Sequence, residues 1–367
     1  MKQRIGLIIP TLDQGGAEKQ LVLLAKGLDR SRFQPHVILL TREGPYRQEL
    51  EEAGVPVTLI GKRFKLDIGS FFRLVRFLKQ QNFHVVHTWI FAANSYGRLA
   101  AKLANIPHII GGERCVDPWK RWWHFAIDRY LARYTERIIT NSSGVVDFYA
   151  AHKIQRVLFE IIPNAVPPLA PDPTARISIR AKLNVAPDSI LIGIVGRLWP
   201  QKGLKDLLWA MELMRVIRDD AYLVVVGEGP ERQRLEYYRD QIGLGQRVRF
   251  VGHQSPARPW IEALDILWNG SLYEGQSNVI LEAMQAGVPV VATDIAGNRD
   301  LIVPGETGFL YRRSDLATLA RHTQQLLTDR DLYVRFAQAA QQRVAQKFSL
   351  QAMISAHEKL YESLKRG

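Results

Sequence analysis

The chain has 367 residues, enough for two domains that each bury a core. Its hydrophobic fraction of 47% and charged fraction of 23% are ordinary for a soluble globular protein. The single cysteine, Cys115, excludes an internal disulfide framework and fits a reducing compartment.

Positive charge is concentrated in the first half of the chain. The net charge is +13, and residues 1–165 hold 24 Lys and Arg against 14 Asp and Glu, a net +10. A basic half attracts nucleic acid, anionic membrane or anionic substrates. Because the basic residues are dispersed among apolar segments without a nucleic-acid-binding motif, we expect no nucleic acid partner. No apolar run suits a signal peptide or approaches the ~20 residues of a membrane span, which predicts a cytoplasmic protein.

Short apolar runs alternate with helical patterns through the first half. Strands are predicted at 5–10, 36–41, 55–60, 85–87, 108–110 and 137–140, and helices at 17–28, 71–80 and 94–103. This alternation predicts a parallel sheet with crossover helices, an α/β domain over residues 1–165. The proline-rich segment 162–173 ends this domain and is predicted to be the linker.

The second half repeats the pattern. Strands are predicted at 189–195, 221–227, 248–252, 266–268 and 288–292, and helices at 205–216, 231–241, 277–286, 317–328, 332–348 and 350–364. We therefore expect a second doubly wound, Rossmann-like domain over residues 166–348. Ligands bind such sheets beyond the carboxyl ends of the strands, so two domains facing each other would leave a cleft for a ligand.

One segment of the second half, residues 271–284, places two carboxylates eight positions apart. Glu274 lies in a glycine-containing loop, and Glu282 lies on the helix that follows. Ser277 and Asn278 are good N-cap residues, so the helix should begin there and offer its free N–H groups to an anion. The two carboxylates can bracket an elongated ligand with an anionic middle, which is the layout of a sugar–diphosphate–ribose.

Two glycine-containing loops follow predicted strands. Gly15 and Gly16 open the first helix, where they either let the backbone approach a phosphate or simply form a tight turn. Gly196 closes a strand and is followed by Arg197 and Lys202, which can bind phosphate oxygens. The alternative for this pair is a solvated surface loop, but the nearby carboxylates favour phosphate binding.

Three further features have weaker signals. His87, at the end of a predicted strand, is either structural or part of the cleft. The backbone around His253 could hold a flat base or form a simple turn. The D-x-D sequence at Asp329 and Asp331 is predicted to end one helix and cap the next, and no His/Cys cluster has zinc spacing, so we predict no metal.

An aromatic and basic cluster, residues 119–125, lies in the charged half. Trp119, Trp122 and Trp123 alternate there with cations, a mixture that favours contact with a membrane interface over packing in the core. By contrast, the apolar stripe of helix 71–80, formed by Phe71, Leu74, Val75 and Leu78, is predicted to pack on the sheet.

Taken together, these motifs resemble glycosyltransferase family 4, whose members are retaining enzymes with the GT-B fold. The resemblance rests on the following set in chain order: Gly15-Gly16, His87-Thr88, Ile162-Pro-Asn164, Gly196-Arg197 with Lys202, Gly227-Glu-Gly-Pro, and Glu274-Gly with Glu282-Ala-Met. It implies transfer from a nucleotide-sugar donor with retention of anomeric configuration and without a metal or other cofactor. It also implies a last helix, within residues 349–367, that crosses back to the first domain.

The resemblance assigns roles to single residues. Arg197 and Lys202 would hold the diphosphate, and Glu274 would engage the donor sugar. Glu282 would accept hydrogen bonds from the ribose. The remaining assigned residues surround the donor or belong to the catalytic set, namely Gly15, Gly16, His87, Gly196, His253, Gly275, Gln276, Ser277 and Asn278.

Two departures from the family pattern stand out. Many relatives carry a histidine after the fifth strand, where this chain has Gly111-Gly112-Glu113-Arg114. Either Glu113 or Arg114 replaces that histidine on the acceptor side of the site, or His87 is the only residue that fills this role. Gln276 and Ser277 also stand where many relatives have another residue followed by proline, which bears on the identity of the donor sugar.

We therefore expect a retaining hexosyltransferase that uses a UDP- or GDP-sugar and a glycan or lipid-linked acceptor of envelope polysaccharide synthesis. It would contact the cytoplasmic face of an anionic membrane. Two alternatives remain open at this point: a nucleotide-sugar isomerase or epimerase on the same scaffold, and a non-catalytic nucleotide-sugar-binding protein at the membrane surface.

Overall fold

The structure, a computed structural model, describes residues 2–64, 66–168 and 170–364. The chain forms two compact units, one of Met1–Ala165 with Leu350–Gly367 and one of Val166–Ser349. Residue 169 of the predicted linker and residues 365–367 of the predicted last helix lie outside the described residues. None of the helices described is long and apolar enough to cross a membrane.

The first unit is built on a seven-stranded parallel sheet in the order β3-β2-β1-β4-β5-β6-β7. Its central strands are largely buried and rich in Val and Ile, as expected for a parallel sheet covered on both faces, whereas the edge strands β3 and β7 are partly exposed. They span β1 Gln3–Ile9, β2 Phe33–Leu39, β3 Val57–Leu59, β4 Val85–Thr88, β5 His108–Glu113, β6 Arg137–Thr140 and β7 Phe159–Ile161. The helices between them are α1 Gly16–Gly27, α2 Tyr46–Glu52, α3 Ile68–Gln81, α4 Ile90–Leu103, α5 Trp122–Ala132 and α6 Ser143–Ala151.

The second unit repeats this plan with a six-stranded parallel sheet in the order β10-β9-β8-β11-β12-β13. The strands are β8 Ile190–Val195, β9 Ala221–Val226, β10 Val248–Gly252, β11 Ile266–Asn269, β12 Val290–Thr293 and β13 Phe309–Tyr311. The helices are α7 Ala175–Leu183, α8 Leu204–Ile217, α9 Arg232–Gln241, α10 Arg258–Glu262, α11 Asn278–Ala286, α12 Ala296–Leu301, α13 Leu316–Thr328 and α14 Arg330–Lys347. The prediction of two Rossmann-like α/β domains is confirmed.

The last helix, α15 Leu350–Ser363, belongs to the first unit, which confirms that the chain returns there. Its residues Met353, Ile354, Leu360 and Tyr361 are part of the same core cluster as β1 and α1. The backbone carbonyl of Tyr361 accepts a hydrogen bond of 3.1 Å from Gln3, at the start of β1. The helix is therefore a structural element of the first core.

Two local predictions are confirmed. Asp329 lies between α13 and α14, and its carboxylate caps α14 by accepting a hydrogen bond of 2.9 Å from the Leu332 N–H. The stripe of α3 packs inward, where Leu74 and Leu78 are completely buried in a cluster against the sheet. The two short edge strands β7 and β13 were not predicted.

Candidate active site

The carboxyl edge of the second sheet carries closely packed glycine turns. Gly196 follows β8, and its N–H donates a hydrogen bond of 2.9 Å to the carbonyl of Val226 at the end of β9. Gly227 follows β9 with φ +147°, and a Cβ there would overlap the carbonyl oxygen of Gly196. The two turns can pack backbone to backbone because residue 227 has no Cβ, while Gly196 has a φ of +148° that favours glycine. The chain that follows Gly196 is thereby fixed at this edge.

The segment after Gly196 presents the two predicted phosphate ligands. Arg197 is exposed, and its guanidinium carbon lies 5.9 Å from the centre of the Trp199 ring. A short 3₁₀ turn, Pro200–Lys202, then brings Lys202 to the start of α8. Both cations are thus supplied by one short segment between β8 and α8.

Lys202 and Glu274 form an ion pair. Their side chains are mostly buried, with 23% and 11% of their surfaces exposed. The hydroxyl of Ser271 donates a hydrogen bond of 2.8 Å to the same Oε1 of Glu274. The structure therefore brings the predicted phosphate ligand and the predicted sugar ligand into direct contact, and it adds Ser271, which the sequence reasoning had missed.

Hydrogen bonds explain why these two loops meet. The Leu272 N–H donates a hydrogen bond of 2.8 Å to the carbonyl of Gln201, and the Gln201 side chain donates one of 2.7 Å to the carbonyl of Tyr273. At the back of the loop, Gly297 of α12 lies so close that a Cβ there would overlap the carbonyl oxygen of Gly275. The loop that bears Glu274 is therefore fixed on both sides.

The helix after this loop begins where the sequence predicts it. Ser277 is the N-cap of α11, but its hydroxyl does not cap the helix and instead accepts a hydrogen bond of 3.3 Å from Asn269. The N-terminal N–H groups are thus left without a side-chain cap from Ser277, as an anion site at this end of the helix would require. Gln276 and Ser277 are buried, Asn278 and Glu282 are half-buried, and His253 is exposed after β10.

In the first unit, Gly15 and Gly16 stand at the carboxyl end of β1. Gly15 is the N-cap of α1 and Gly16 is its first residue. A Cβ on Gly15 would meet only the flexible carboxylate end of Glu18, and its φ of −104° is open to other residues, so the local backbone does not by itself require glycine there. The predicted phosphate approach to this turn stays a prediction.

His87 is buried inside the first unit rather than displayed at its surface. Its side chain shows 1% exposure, and Nδ1 lies 2.9 Å from the hydroxyl of Tyr361 on α15. Burial, with further contributions from His357 and Arg114, holds the pKa of His87 well below its ordinary value, so the ring is neutral. This environment favours the structural alternative for His87, and its catalytic role remains a prediction.

Glu113, at the end of β5, is buried in a polar network. Its carboxylate accepts a hydrogen bond of 2.8 Å from the Tyr149 hydroxyl and lies 3.5 Å from Nζ of Lys120. Burial raises the pKa of Glu113 to about 7, although Lys120 opposes the shift. The carboxylate is directed toward Lys120 and Tyr149, away from solvent.

Arg114, the next residue, has entirely different surroundings. Its guanidinium donates a hydrogen bond to Asn164 and lies 4.8 Å from the Trp89 ring. Burial lowers the pKa of Arg114 to about 9. Nε and Nη1 are buried without a hydrogen-bond partner among the residues that the structure describes. Of the two acceptor-side candidates, Arg114 therefore has unused hydrogen-bonding capacity.

The structure thus concentrates the predicted donor ligands in the second unit, around Arg197, Lys202, Glu274 and the start of α11. Cations beside a helix N-terminus suit a diphosphate, and a carboxylate next to them suits sugar hydroxyls. Within the described part of the chain, no three His, Cys, Asp or Glu side chains are grouped so that they could hold a metal ion.

Comparison with known families gives two matches, which cover consecutive stretches of the chain. Residues 14–168 match the model described as Glycosyltransferase Family 4, and residues 175–343 match the model described as Glycosyl transferases group 1. Together these matches cover most of both units.

Two characterised relatives illustrate the range of similarity. The chain is 32% identical over 184 residues to the lipopolysaccharide core biosynthesis glycosyltransferase LpsE of Rhizobium meliloti, covering 50% of this chain and only 53% of that protein. It is 25% identical over 351 residues to the UDP-Gal:alpha-D-GlcNAc-diphosphoundecaprenol alpha-1,3-galactosyltransferase of Escherichia coli, covering 87% of this chain and 89% of that enzyme.

Solved structures share the fold. Anabaena Alr3699/HepE, in complex with UDP and glucose, superposes with a TM-score of 0.88 at 22% identity and covers 98% of this chain and 100% of its own. A glycosyltransferase from Rickettsia africae superposes with a TM-score of 0.86 at 20% identity, covering 100% of this chain and 99% of its own.

Proposed function

Because the chain belongs to glycosyltransferase family 4, we propose that it transfers a hexose-type sugar from a nucleoside-diphosphate sugar to a hydroxyl acceptor with retention of anomeric configuration. The observation that carries this proposal is the contact between Lys202 and Glu274. It joins a loop suited to a diphosphate with a loop suited to a sugar, which is what a nucleotide-sugar donor needs.

The proposed donor is a UDP-sugar. Two similar proteins support this choice, since HepE has been crystallised with UDP-glucose and the Escherichia coli relative is a UDP-Gal transferase. In the proposed arrangement, Arg197 and Lys202 bind the diphosphate, the start of α11 faces its oxygens, and Glu282 accepts hydrogen bonds from the ribose. Binding would transfer the Lys202 charge from Glu274 to phosphate, which would free the carboxylate for sugar hydroxyls.

The proposed reaction is a front-face substitution. The acceptor oxygen forms a bond to the anomeric carbon on the face from which the diphosphate leaves, as the bond between that carbon and the phosphate oxygen breaks. The departing phosphate oxygen takes the proton of the acceptor hydroxyl. Arg197, Lys202 and the α11 N-terminus stabilise the charge that develops on the leaving group, which is usually the largest catalytic contribution. With cations of the chain in that role, we propose a metal-independent reaction.

The proposed acceptor is a lipid-linked glycan or another precursor of envelope polysaccharide. The support is the acceptor in the name of the Escherichia coli relative and the lipopolysaccharide role in the name of LpsE. Trp119, Trp122 and Trp123 are 51%, 80% and 42% exposed, which supports peripheral contact with the cytoplasmic face of a membrane.

Substitution of the donor ligands tests the proposal. We expect Arg197→Ala, Lys202→Ala and Glu274→Gln each to lower transfer from a UDP-sugar by about tenfold or more, because each removes a charge from the reacting diphosphate or sugar. Transfer is measured as UDP release with UDP-glucose, UDP-galactose and UDP-N-acetylglucosamine in the presence of polyprenyl-linked acceptors.

The matched control is Lys205→Ala, which removes an exposed lysine three residues from Lys202 and should leave transfer unchanged. Thermal unfolding verifies that the variants fold. Full activity in all three variants would refute the site. UDP-sugar epimerisation without acceptor would instead indicate an isomerase.

A further inference from the structure

Four large apolar side chains are exposed at the start of α3, and the proposed active site uses none of them. Phe64, Leu66, Ile68 and Phe72 are 63%, 84%, 69% and 61% exposed. Isolated exposed apolar residues are normal, but four within nine positions form a patch. The inward face of α3 is already packed, so this patch is additional to the stripe that the helix contributes to the core.

A second exposed apolar segment lies at the start of α5. It includes the tryptophans of the 119–123 segment and continues along the helix with Ile127 and Tyr130, which are 37% and 50% exposed. Trp123, Ile127 and Tyr130 are spaced by four and three residues, so they share one face of α5. Other positions of α5 pack inward, among them Phe125 and Leu131, which are 4% and 2% exposed.

These two segments lie at the same edge of the first unit. The helices α3, α4 and α5 each follow a strand of one parallel sheet, so all three begin at its carboxyl edge. Phe71 of α3 contacts Tyr96 of α4 with ring centroids 5.2 Å apart, and Phe91 of α4 contacts Trp119 with centroids 5.6 Å apart. The first turns of α4, residues 90–95, carry no charge and connect the two segments.

The exposed charges within these two segments are positive. Residues 61–81 hold six Lys and Arg and one Asp, and that acid, Asp67, is only 7% exposed. Arg63, Arg73 and Arg121 are exposed among the apolar side chains. Apolar rings and aliphatic chains interleaved with cations are the composition that anionic lipid headgroups attract.

Buried polar contacts of Lys120 hold the tryptophan segment, residues 119–123, in place. The Lys120 side chain is completely buried, and its Nζ lies 3.0 Å from the Asp128 carboxylate and 2.7 Å from the Tyr149 hydroxyl. The backbone on either side of Lys120 is therefore fixed. Trp119 and Trp122, which belong to this fixed segment, are exposed to solvent.

We propose that residues 63–64, 66–72 and 119–130 form one docking face that binds the surface of an anionic lipid bilayer. The apolar side chains enter the headgroup boundary while the arginines meet lipid phosphates. A second copy of the chain is disfavoured as the occupant because it would place like charges opposite each other. The proposal extends the membrane contact of the proposed function to the α3 segment, and it rests on that function only in naming the membrane that carries the acceptor.

Vesicle co-sedimentation tests the docking face without donor or acceptor. The probes are vesicles of phosphatidylcholine alone and of phosphatidylcholine with phosphatidylglycerol. We expect binding only to the anionic vesicles, weakened by added salt, and about tenfold weaker for the double variant Leu66→Ser/Phe72→Ser and for Trp122→Ser.

Matched controls are Val157→Ser and Ile177→Ser, which remove apolar side chains that are 74% and 75% exposed elsewhere, and both should bind as the unsubstituted protein does. Circular dichroism and a cooperative thermal unfolding transition show that each variant is folded, and because vesicle binding needs neither UDP nor turnover, failure of the proposed transferase activity would leave this test intact. The proposal would be overturned if the docking-face variants bound anionic vesicles as tightly as the unsubstituted protein does, or if the protein bound neutral vesicles as tightly as anionic ones. It would also be overturned if the protein formed a dimer in solution that these substitutions dissociate.

Discussion

At the scale of single residues, Ser271 is the clearest addition that the structure makes to the site. Its hydroxyl donates to the Glu274 oxygen that also pairs with Lys202, and it is 1% exposed. A hydrogen bond to a charged group contributes about 1.5–3 kcal/mol. Ser271 therefore orients the carboxylate that we assign to the donor sugar.

We predict that Ser271→Ala lowers transfer about tenfold and leaves the affinity for UDP unchanged, because it disturbs the sugar end of the site alone. Transfer kinetics and isothermal titration with UDP measure the two effects separately. Ser178→Ala, in a helix of the same unit, is the control. A parallel loss of UDP binding would show that Ser271 only supports the fold.

The sequence was sufficient to nominate Arg197, Lys202 and Glu274 as candidates, because they lie beside glycine turns at strand ends and match the family pattern; their roles stay predictions. It was insufficient for Ser271 and Gln201, because their importance lies in contacts made only after folding. Gln201 reaches the backbone of Tyr273, 72 positions away along the chain, and no local pattern records such a contact. For His87 a structural and a catalytic role are equally compatible with the sequence, and burial favours the structural one.

At the scale of elements, most strands were predictable, including the edge strand β3, but the edge strands β7 and β13 were not. The strands β7 and β13 have three residues each and are partly exposed, so they lack the continuous apolar run that marks a buried strand. Helices α2, α5, α6 and α7 also escaped prediction, and in α5 the exposed tryptophans break the pattern of an amphipathic helix. That break is the feature from which we infer the docking face.

The network that joins β5, α5 and α6 predicts a pH-dependent stability. Burial raises the pKa of Glu113 from 4.5 to about 7, so the folded protein binds this proton more tightly than the unfolded chain does. The resulting stabilisation is complete below about pH 4.5 and is lost as the pH rises through about 7. We expect Glu113→Gln, which stays uncharged, to lose less stability than the unsubstituted protein between pH 5 and pH 8.

Thermal unfolding across this pH range measures the difference between the two proteins. Glu52→Gln, at an exposed position of α2, should follow the unsubstituted protein throughout. If the Glu113→Gln and unsubstituted curves stay parallel, Glu113 does not titrate within the network.

At the scale of the whole molecule, the first unit is made from two stretches that lie at opposite ends of the chain, Met1–Ala165 and Leu350–Gly367. The sequence predicts a helix at 350–364 from its pattern alone, but only the family resemblance placed it on the first domain. The structure supplies the physical reason, since Ile354 packs against Gly27 of α1 and Glu358 pairs with Arg32 near β2. Apolar and ionic contacts with residues more than 300 positions earlier fix the helix to the first unit.

We therefore predict that Ile354→Ala destabilises the first unit alone. Ile354 is 5% exposed, and removing a buried side chain of this size costs about 2–5 kcal/mol. Hydrogen exchange should show lost protection across Met1–Ala165 and unchanged protection across Val166–Ser349, because each unit has its own core. UDP binding should persist, since its proposed ligands lie in the second unit. Lys359→Ala, on the exposed face of the same helix, is the matched control. Equal loss of protection in both units would show that they unfold as one.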